Sequence, residues 1–294
     1  MALNLATLRT RTLTAIIFVV VMLLGLLWNH WSFFVLFSII HFGCWVEYQK
    51  LVGLIDPDYK QASSFHRFGV MVAGWCVLLN FTDDQFSLFG VHLHAIGWFL
   101  GLLFVFVLPV IELLFTKDIH LKNIGYSAVG LLYLSLTLGL MMDLRSGVAG
   151  QFEGVPFDAG VFLPCFIIGS IWINDTMAYI VGSLIGKTKM TDISPRKTWE
   201  GTIGGVILAV GVAGLVLWMM ADYHFSSTTV KFMIIAAIAS IAGTFGDLLE
   251  SKLKRAANVK DSGSIMPGHG GFLDRFDSLL IAAPFCWLYI RLVE

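Results

Sequence analysis

Long apolar segments dominate this sequence. A helix that crosses the hydrocarbon core of a bilayer needs roughly 20 mainly apolar residues, and its backbone polar groups must bond within the helix. Hydrophobic residues make up 57% of the 294-residue chain and charged residues only 13%, whereas about a quarter of the residues in an ordinary globular protein are charged. The sequence therefore predicts an all-α polytopic membrane protein.

Nine segments are candidate transmembrane helices. They cover approximately residues 13–28, 31–46, 68–81, 95–115, 124–142, 160–184, 202–220, 231–249 and 276–291. The second and third are short or interrupted by glycine. The first is interpreted as a retained span, because no small-residue cleavage site of a signal peptide follows it.

The positive charges are sorted along the chain. With the N-terminus in the cytoplasm and the C-terminus outside, sixteen of the nineteen Lys and Arg residues fall on the cytoplasmic side, and only Arg145, Lys231 and Arg291 fall outside. Cytoplasmic loops of membrane proteins carry such an excess of Lys and Arg. The charge distribution therefore predicts this orientation.

No connecting region is long enough for a separate soluble domain, so any chemistry must be built at the membrane surface. The two most polar cytoplasmic stretches, residues 186–201 and 250–275, both lie in the C-terminal half. We therefore predict an N-terminal transmembrane scaffold of about five spans at 1–159 and a C-terminal catalytic region of about four spans at 160–294.

Residues 251–277 combine basic side chains, a glycine-rich turn and two carboxylates. Lys and Arg neutralise phosphate oxygens, glycines let backbone N–H groups approach closely, and carboxylates hold Mg²⁺. A stretch that only orients the protein in the membrane explains the lysines, but it does not explain the run His269-Gly270-Gly271. The combination favours a site for a polyphosphate.

Several acidic residues are candidate metal ligands. Asp274 and Asp277 are three residues apart, so they share one face if the last helix begins near Leu273; acids in the first turn of a helix are also favoured by its macrodipole. Asp247 ends the eighth predicted span. Asp175 lies inside the sixth, where a carboxylate is either functional or a hydrogen-bond partner for another helix.

Two further acids, Glu47 and Glu112, lie near the ends of predicted spans. Because side chains at these depths can reach interfacial water, both are interpreted as structural.

A second polar stretch, residues 194–201, places cations and a hydroxyl just before the seventh predicted span. These side chains are able to bind phosphate. The glycines that follow, Gly201, Gly204 and Gly205, favour close helix packing over a nucleotide loop, because no strand precedes them.

These stretches resemble the phosphatidate cytidylyltransferase family, whose members are also called CDP-diacylglycerol synthases. Residues 251–277 are similar to the family signature over essentially their full length, residues 194–201 to a second motif, and Asn174-Asp175-Thr176 with Ala178-Tyr179 to a third. Met266 stands where the family usually has Leu, Ile or Phe, and Arg196 where Lys is common. Both substitutions keep the physical property of the side chain.

The resemblance implies transfer of the cytidylyl group of CTP to phosphatidic acid, giving CDP-diacylglycerol and pyrophosphate for phospholipid synthesis. It implies Mg²⁺ and a possible second cation such as K⁺, a homodimer, membrane lipid as a partner and no nucleic acid. It also implies a bacterial inner-membrane location with the active site facing the cytoplasm.

Together with the residue chemistry, the resemblance assigns roles to individual positions. The predicted catalytic residues are Asp247, Asp274, Asp277, Lys254 and Arg255, of which the three aspartates also bind the metal. The predicted substrate-binding residues are Ser251, Lys260, His269, Gly270, Gly271, Arg275, Ser194, Lys197, Thr198 and Asp175.

Two other functions use similar residues. A CTP-dependent lipid kinase would transfer the γ-phosphate to a lipid alcohol and release CDP. An ion-coupled transporter would also bury acids among its spans, but it leaves the basic glycine-rich stretch unexplained.

Overall fold

The computed structural model describes residues 5–115, 121–146, 158–221, 224–265 and 270–293, with side chains from residue 12 onward except at 112, 113 and 115. Within these ranges the chain is helical apart from short connections and one small hairpin. The helices are α1 (Leu5–Leu27), α2 (His30–Ile55), α3 (Pro57–Lys60), α4 (Ser64–Asn80), α5 (Leu93–Phe115), α6 (Leu121–Gly130), α7 (Thr137–Ser146), α8 (Ala159–Ile185), α9 (Trp199–Met220), α10 (Ser227–Ala256) and α11 (Leu273–Val293). The hairpin pairs β1 (Ser87–Leu88) with β2 (Val91–His92) in antiparallel register.

Each of the nine predicted spans lies on a helix, and seven helical stretches among the described residues are long and apolar enough to cross a membrane. They are His30–Ile55, Leu93–Ile111, Leu121–Ser146, Ala159–Ile185, Trp199–Met220, Ser227–Ala256 and Leu273–Val293. The first predicted span corresponds to a shorter apolar helix, Thr12–Leu27, and the third to the 17-residue α4. The chain is an integral membrane protein with several apolar helices.

Helices α2 and α10 continue well past the predicted ends of their spans. Helix α2 has 26 residues and continues past its predicted end through Glu47 to Ile55. Helix α10 has 30 residues and continues through Lys254 and Arg255, which lie in its last turn. Cations in the last turn are favoured by the partial negative charge at a helix C-terminus, so this basic cluster is helical and does not belong to the following loop.

The chain forms two compact units. Unit 1 contains Met1–Asp143 and Leu253–Phe276, and unit 2 contains Leu144–Lys252 and Asp277–Glu294. The predicted boundary between scaffold and catalytic regions lies elsewhere, at 159/160, and it remains a prediction.

The core of unit 1 is built around α2. Trp45 of α2 is fully buried and donates a hydrogen bond to the hydroxyl of Ser135, which lies in a π-helical segment, Leu131–Leu136, between α6 and α7. Helices α4 and α5 approach closely because Gly97 lies against Leu79. Small residues of this kind let membrane helices pack backbone to backbone.

Unit 2 is built around the pair α8 and α9. Gly201 lies against Ala178, Gly204 against Val181 and Gly205 against Asn174. The prediction that these glycines serve helix packing is confirmed. Helix α10 joins the pair through an aromatic cluster in which Phe232 contacts Phe162 and Phe166.

Candidate active site

The loop between α10 and α11 is organised in unit 1 by the carboxylate of Asp274. Its Oδ2 accepts hydrogen bonds from the backbone N–H groups of Ser262 (2.9 Å) and Gly271 (2.8 Å) and from the Ser262 hydroxyl (2.8 Å). Its Oδ1 pairs with Nζ of Lys254 at 2.6 Å. Helix α11 begins at Leu273, three residues before the predicted start of the ninth span, so Asp274 lies in its first turn and closes the loop onto it.

A second buried carboxylate, Glu47 of α2, holds the same loop. Its oxygens accept hydrogen bonds from the backbone N–H groups of Phe272 (2.9 Å) and Leu273 (2.8 Å), and Glu47 shares with Asp274 the single proton of the Ser262 hydroxyl, which lies 2.7 Å away. The side chain is only 3% exposed. The prediction that Glu47 reaches interfacial water is therefore wrong, because three donors of the loop take the place of water.

One sequence signal pointed to Glu47. An acid directly after a strongly apolar segment is a functional candidate by default, but its partners lie more than 200 residues away in the chain. The side chain of Glu112, which was interpreted in the same way, lies outside the described residues.

The glycines of the loop make room for these two carboxylates. Gly270 has φ +82°, in the region that favours glycine, and a Cβ there would collide with Asp274. A Cβ at Gly263 or Gly271 would collide with the carboxylate of Glu47. The sequence predicted that backbone N–H groups of these glycines bind phosphate oxygens. In this structure the N–H of Gly271 instead donates a hydrogen bond to the carboxylate of Asp274.

The remaining basic residues of the signature differ in exposure. The side chain of Lys254 is 14% exposed and held by Asp274, whereas Arg255, Lys260 and Arg275 are exposed. His269 lies outside the described residues.

The other predicted motifs come together in unit 2 around a cavity of about 260 Å³. The third motif contributes Asn174, Asp175, Ala178 and Tyr179, the second contributes Arg196, Lys197, Thr198 and Thr202, and α10 contributes Thr244 and Asp247. Segments far apart in the sequence thus line one space that contains both acids and cations.

Asp247 of α10 contacts a cation and a hydroxyl group at this cavity. Its Oδ2 pairs with Nζ of Lys197 at 2.5 Å, and its Oδ1 accepts a hydrogen bond from the Ser251 hydroxyl at 3.3 Å. The Asp247 side chain is 33% exposed. Unlike Asp274, it therefore keeps surface on which a further ligand can bind.

Residues 194–198 position the cations of the cavity. Lys197 donates its N–H to the carbonyl of Ser194 at 3.0 Å, which closes a turn. Thr198 caps α9 by accepting the Gly201 N–H at 3.1 Å, an interaction typical of a Thr at this position. Ser194 was predicted to bind substrate, but it does not line the cavity.

Asp175 is exposed, and its carboxylate accepts a hydrogen bond from the amide of Asn174 at 3.3 Å. Asn174 itself is 1% exposed, and its Oδ1 is buried without a hydrogen-bond partner in the described part of the chain. A buried amide oxygen of this kind costs free energy unless a donor satisfies it. Asn174 and Thr244 were missing from the predicted site residues, although Asn174 belongs to the third motif.

The described residues contain no cluster of three or more His, Cys, Asp or Glu side chains arranged to hold a metal. Asp277 is 8% exposed and accepts the N–H of Ser278 at 2.6 Å. Mg²⁺ binds through one or two carboxylates, water and substrate phosphates. Asp247 and Asp175 both line the cavity and keep exposed surface, whereas the side chain of Asp274 is only 7% exposed.

Comparison with known proteins agrees with these motifs. The profile described as "Cytidylyltransferase family" matches residues 9–293. A phosphatidate cytidylyltransferase of Bacillus subtilis is 33% identical over 219 residues, covering 74% of this chain and 76% of that protein.

The same name is borne by two relatives that match over a longer stretch. The protein of Thermotoga maritima is 30% identical over 85% of this chain and 91% of its own length. That of Haemophilus influenzae is 30% identical over 95% of this chain and 96% of its own length. With one profile spanning nearly the whole sequence and relatives aligned from end to end, the chain belongs to the cytidylyltransferase family.

Proposed function

We infer that the chain is a phosphatidate cytidylyltransferase, which transfers the cytidylyl group of CTP to phosphatidic acid and makes CDP-diacylglycerol. The observation that carries this inference is the cavity of unit 2, where Asp247 and Lys197 form an ion pair beside Asp175 and Arg196. Cations that bind phosphate oxygens next to carboxylates that bind a metal are what a nucleotidyl transfer between two polyanions requires. The match to the family over nearly the whole chain supports the same reaction.

The reaction needs little acid–base chemistry. A phosphatidate oxygen, already ionised near neutral pH, attacks the α-phosphorus of CTP; a new P–O bond forms, and the bond to the departing pyrophosphate breaks. Lys197 and Arg196 bind phosphate oxygens and offset the repulsion between the two anions. The side-chain Nδ2 group of Asn174 donates a hydrogen bond to the carboxylate of Asp175 and holds it in place.

We propose that Mg²⁺ is held by Asp247 with help from Asp175. When bound, the ion supplies positive charge to the phosphates and to the developing pyrophosphate. Asp247 keeps an exposed surface, and the ammonium of Lys197 beside it marks a position where positive charge is favourable. The sequence predicted that Asp274 and Asp277 also bind the metal. For this, the carboxylate of Asp274 must first replace one of its hydrogen bonds from the protein with a bond to the metal.

The basic side chains of residues 251–277 bind the phosphates in this proposal. Arg255, Lys260 and Arg275 are exposed and bind phosphate oxygens, together with His269. Lys254 and Asp274 keep the loop in shape through their 2.6 Å pair, with Gly270 and Gly271 allowing the close approach.

We further propose that all nine apolar segments cross a bacterial inner membrane, with the N-terminus and the active site in the cytoplasm, where CTP is found. The charge distribution supports this orientation, since sixteen of the nineteen Lys and Arg residues then lie inside. Two copies of the chain form the functional dimer.

The test is product analysis with purified protein. Phosphatidate and Mg²⁺ are supplied with CTP, dCTP, ATP or GTP, with and without K⁺, and both pyrophosphate and labelled lipid are measured. Pyrophosphate and a CDP-lipid are expected with a cytidine nucleotide. Release of CDP with formation of a lipid phosphate would instead identify a lipid kinase, and solute flux without nucleotide turnover would identify a transporter.

A further inference from the structure

A second, larger cavity lies in unit 1, away from every predicted motif in the sequence. It has a volume of about 660 Å³ and is formed by the end of α2, the short helix α3 and the start of α4. The residues that α2 contributes, Val46, Gln49, Lys50, Gly53 and Leu54, have the three- and four-residue spacing of one helix face.

Three cations line this cavity, and no carboxylate does. They are Lys50 of α2, Lys60 of α3 and Arg67 of α4. None of the three forms an ion pair within the described part of the chain. The Nε atom of Arg67 is buried and has no hydrogen-bond acceptor among the described residues. Since a buried donor without a partner is costly, an anion bound in the cavity would stabilise Arg67 by accepting this hydrogen bond.

Specific contacts hold the cations in place. The amide of Gln49 donates to the carbonyl of Arg67 at 2.9 Å and ties α2 to α4. Gly53 provides the surface on which the aliphatic part of Lys60 lies, because a Cβ at Gly53 would come within 3.0 Å of Lys60 Cγ. Packing between helices therefore positions the backbone of Arg67 and the stem of Lys60 beside the end of α2, which a signal for membrane orientation alone does not require.

Exposed apolar side chains flank the cations. Val46 is 54% exposed, Leu54 39% and Phe68 65%, and all three line the cavity. In a helix of a membrane protein, exposed apolar side chains contact acyl chains, while cations near helix ends lie at the level of the headgroups. The cavity therefore combines a phosphate-binding group with a surface for hydrocarbon.

We propose that this cavity binds the phosphate headgroup of an anionic glycerophospholipid from the surrounding membrane. Lys50, Lys60 and Arg67 bind the phosphate oxygens, and Val46, Leu54 and Phe68 contact the start of the acyl chains. The site goes beyond the proposed transfer reaction, and it is tested by binding alone, so its failure and a failure of catalysis are separable.

Native mass spectrometry of the full chain in neutral detergent tests this proposal. The lipid probe is dioleoylphosphatidylglycerol, which is anionic but carries no phosphate monoester to act as a nucleophile. Dioleoylphosphatidylcholine has the same chains and no net charge, glycerol 3-phosphate has the phosphate without chains, and CTP supplies a soluble polyphosphate. The variants are Lys50→Gln, Lys60→Gln and Arg67→Gln, with Lys122→Gln, an exposed lysine of α6, as the charge-matched control.

We expect phosphatidylglycerol to bind more tightly than phosphatidylcholine, and each of the three variants to weaken it by about tenfold or more, since each removes a charged hydrogen bond to the phosphate. Lys122→Gln should leave binding unchanged. Lys50 and Lys60 are exposed, so their variants remain informative if Arg67→Gln fails to fold.

Two outcomes overturn the proposal. Unchanged phosphatidylglycerol binding in the Lys50 and Lys60 variants would leave the cations as orientation signals. Variants that weaken CTP or glycerol 3-phosphate and leave phosphatidylglycerol unaffected would make the cavity a site for soluble phosphates.

Discussion

Asp247 and Asp274 each lie beside a lysine, but their carboxylates differ in the number of further donors that they accept. Asp274 accepts two backbone hydrogen bonds from the loop in addition to Lys254, and it shares the Ser262 hydroxyl proton with Glu47. Among the described residues, Asp247 accepts only the Ser251 hydroxyl in addition to Lys197, and it stays one-third exposed. The same residue type therefore keeps exposed surface at one position and is enclosed by the loop at the other.

Replacing Asp247 with Asn is expected to abolish turnover and leave stability nearly unchanged. The amide keeps the size of the side chain but removes the charge that holds Lys197 and the metal. CDP-diacylglycerol formation is measured against Mg²⁺ concentration, and the unfolding temperature is measured in parallel. Asp84→Asn, at a side chain that is 85% exposed, is the matched control; normal rates with normal Mg²⁺ dependence in Asp247→Asn would overturn the metal assignment.

Asp274→Asn is expected to lower both activity and stability. The new amide presents N–H groups to donors, so part of the network of Ser262, Gly271 and Lys254 loses its acceptor, at a cost of about 1–3 kcal/mol for each buried donor left unsatisfied. Thermal unfolding and limited proteolysis of the loop between α10 and α11 measure the effect. An Asp274→Asn protein with wild-type stability would show that the carboxylate is not what organises the loop.

Glu47→Gln is expected to slow turnover roughly ten- to a hundredfold, because reactive groups displaced by about an ångström lose rate on that scale. Gln retains one acceptor oxygen, whereas Ser262, Phe272 and Leu273 need both oxygens of Glu47. Since Glu47 acts by positioning the loop, kcat should fall more than KM for CTP rises. If Glu47→Gln and the wild type had equal kcat and KM values, the contact between Glu47 and the loop would contribute to packing and not to catalysis.

At the scale of elements, the pair α8 and α9 carries two of the motifs that line the cavity. Asn174 and Asp175 lie on α8, and Thr198 caps α9. The two helices approach closely because glycines of α9 face small or backbone groups of α8. The distance between the helices therefore controls the distance between the motifs.

Gly205→Ala is expected to destabilise the protein by about 1–3 kcal/mol, the usual cost of overpacking. Its Cβ would lie 2.8 Å from the carbonyl oxygen of Asn174 and 2.9 Å from the Cβ of Ala178. The matched control on the same helix is Gly211→Ala, whose Cβ meets no heavy atom of the described residues within 4 Å and which gains helix propensity. Unfolding temperatures of the two variants decide the point: equal values would mean that α8 and α9 are not closely packed at Gly205.

At the scale of the whole molecule, the side of the membrane that faces the signature loop depends on every span before it. Helix α4 is short for a transmembrane span. Its 17 residues rise only about 26 Å at 1.5 Å per residue, somewhat less than the thickness of a typical hydrocarbon core. If α4 did not cross the membrane, every later loop would change sides.

Single cysteines introduced at Asp83 and Ser226 should react with a membrane-impermeant reagent from outside, and those at Lys60, Lys189 and Lys260 should not. Of the native cysteines, Cys44, Cys76 and Cys286 are buried and Cys165 is partly buried. The new cysteines are introduced into a cysteine-free variant, so that no native cysteine contributes to the labelling signal. Labelling of Lys260→Cys from outside would contradict a cytoplasmic site for CTP.

The sequence by itself determined the membrane character of the chain, the positions of its helices, the glycine packing of α9 and the family. These properties depend on local length, hydropathy and spacing, which a linear pattern records. Only the tertiary structure decided which atoms the polar residues contact. It paired Lys197 with Asp247, filled the acceptor positions of Asp274 with loop donors, and brought Glu47 of α2 to Ser262 across 215 residues of sequence. A buried carboxylate selects its donors among all groups that the fold brings near it, and no pattern around residue 47 contains that information.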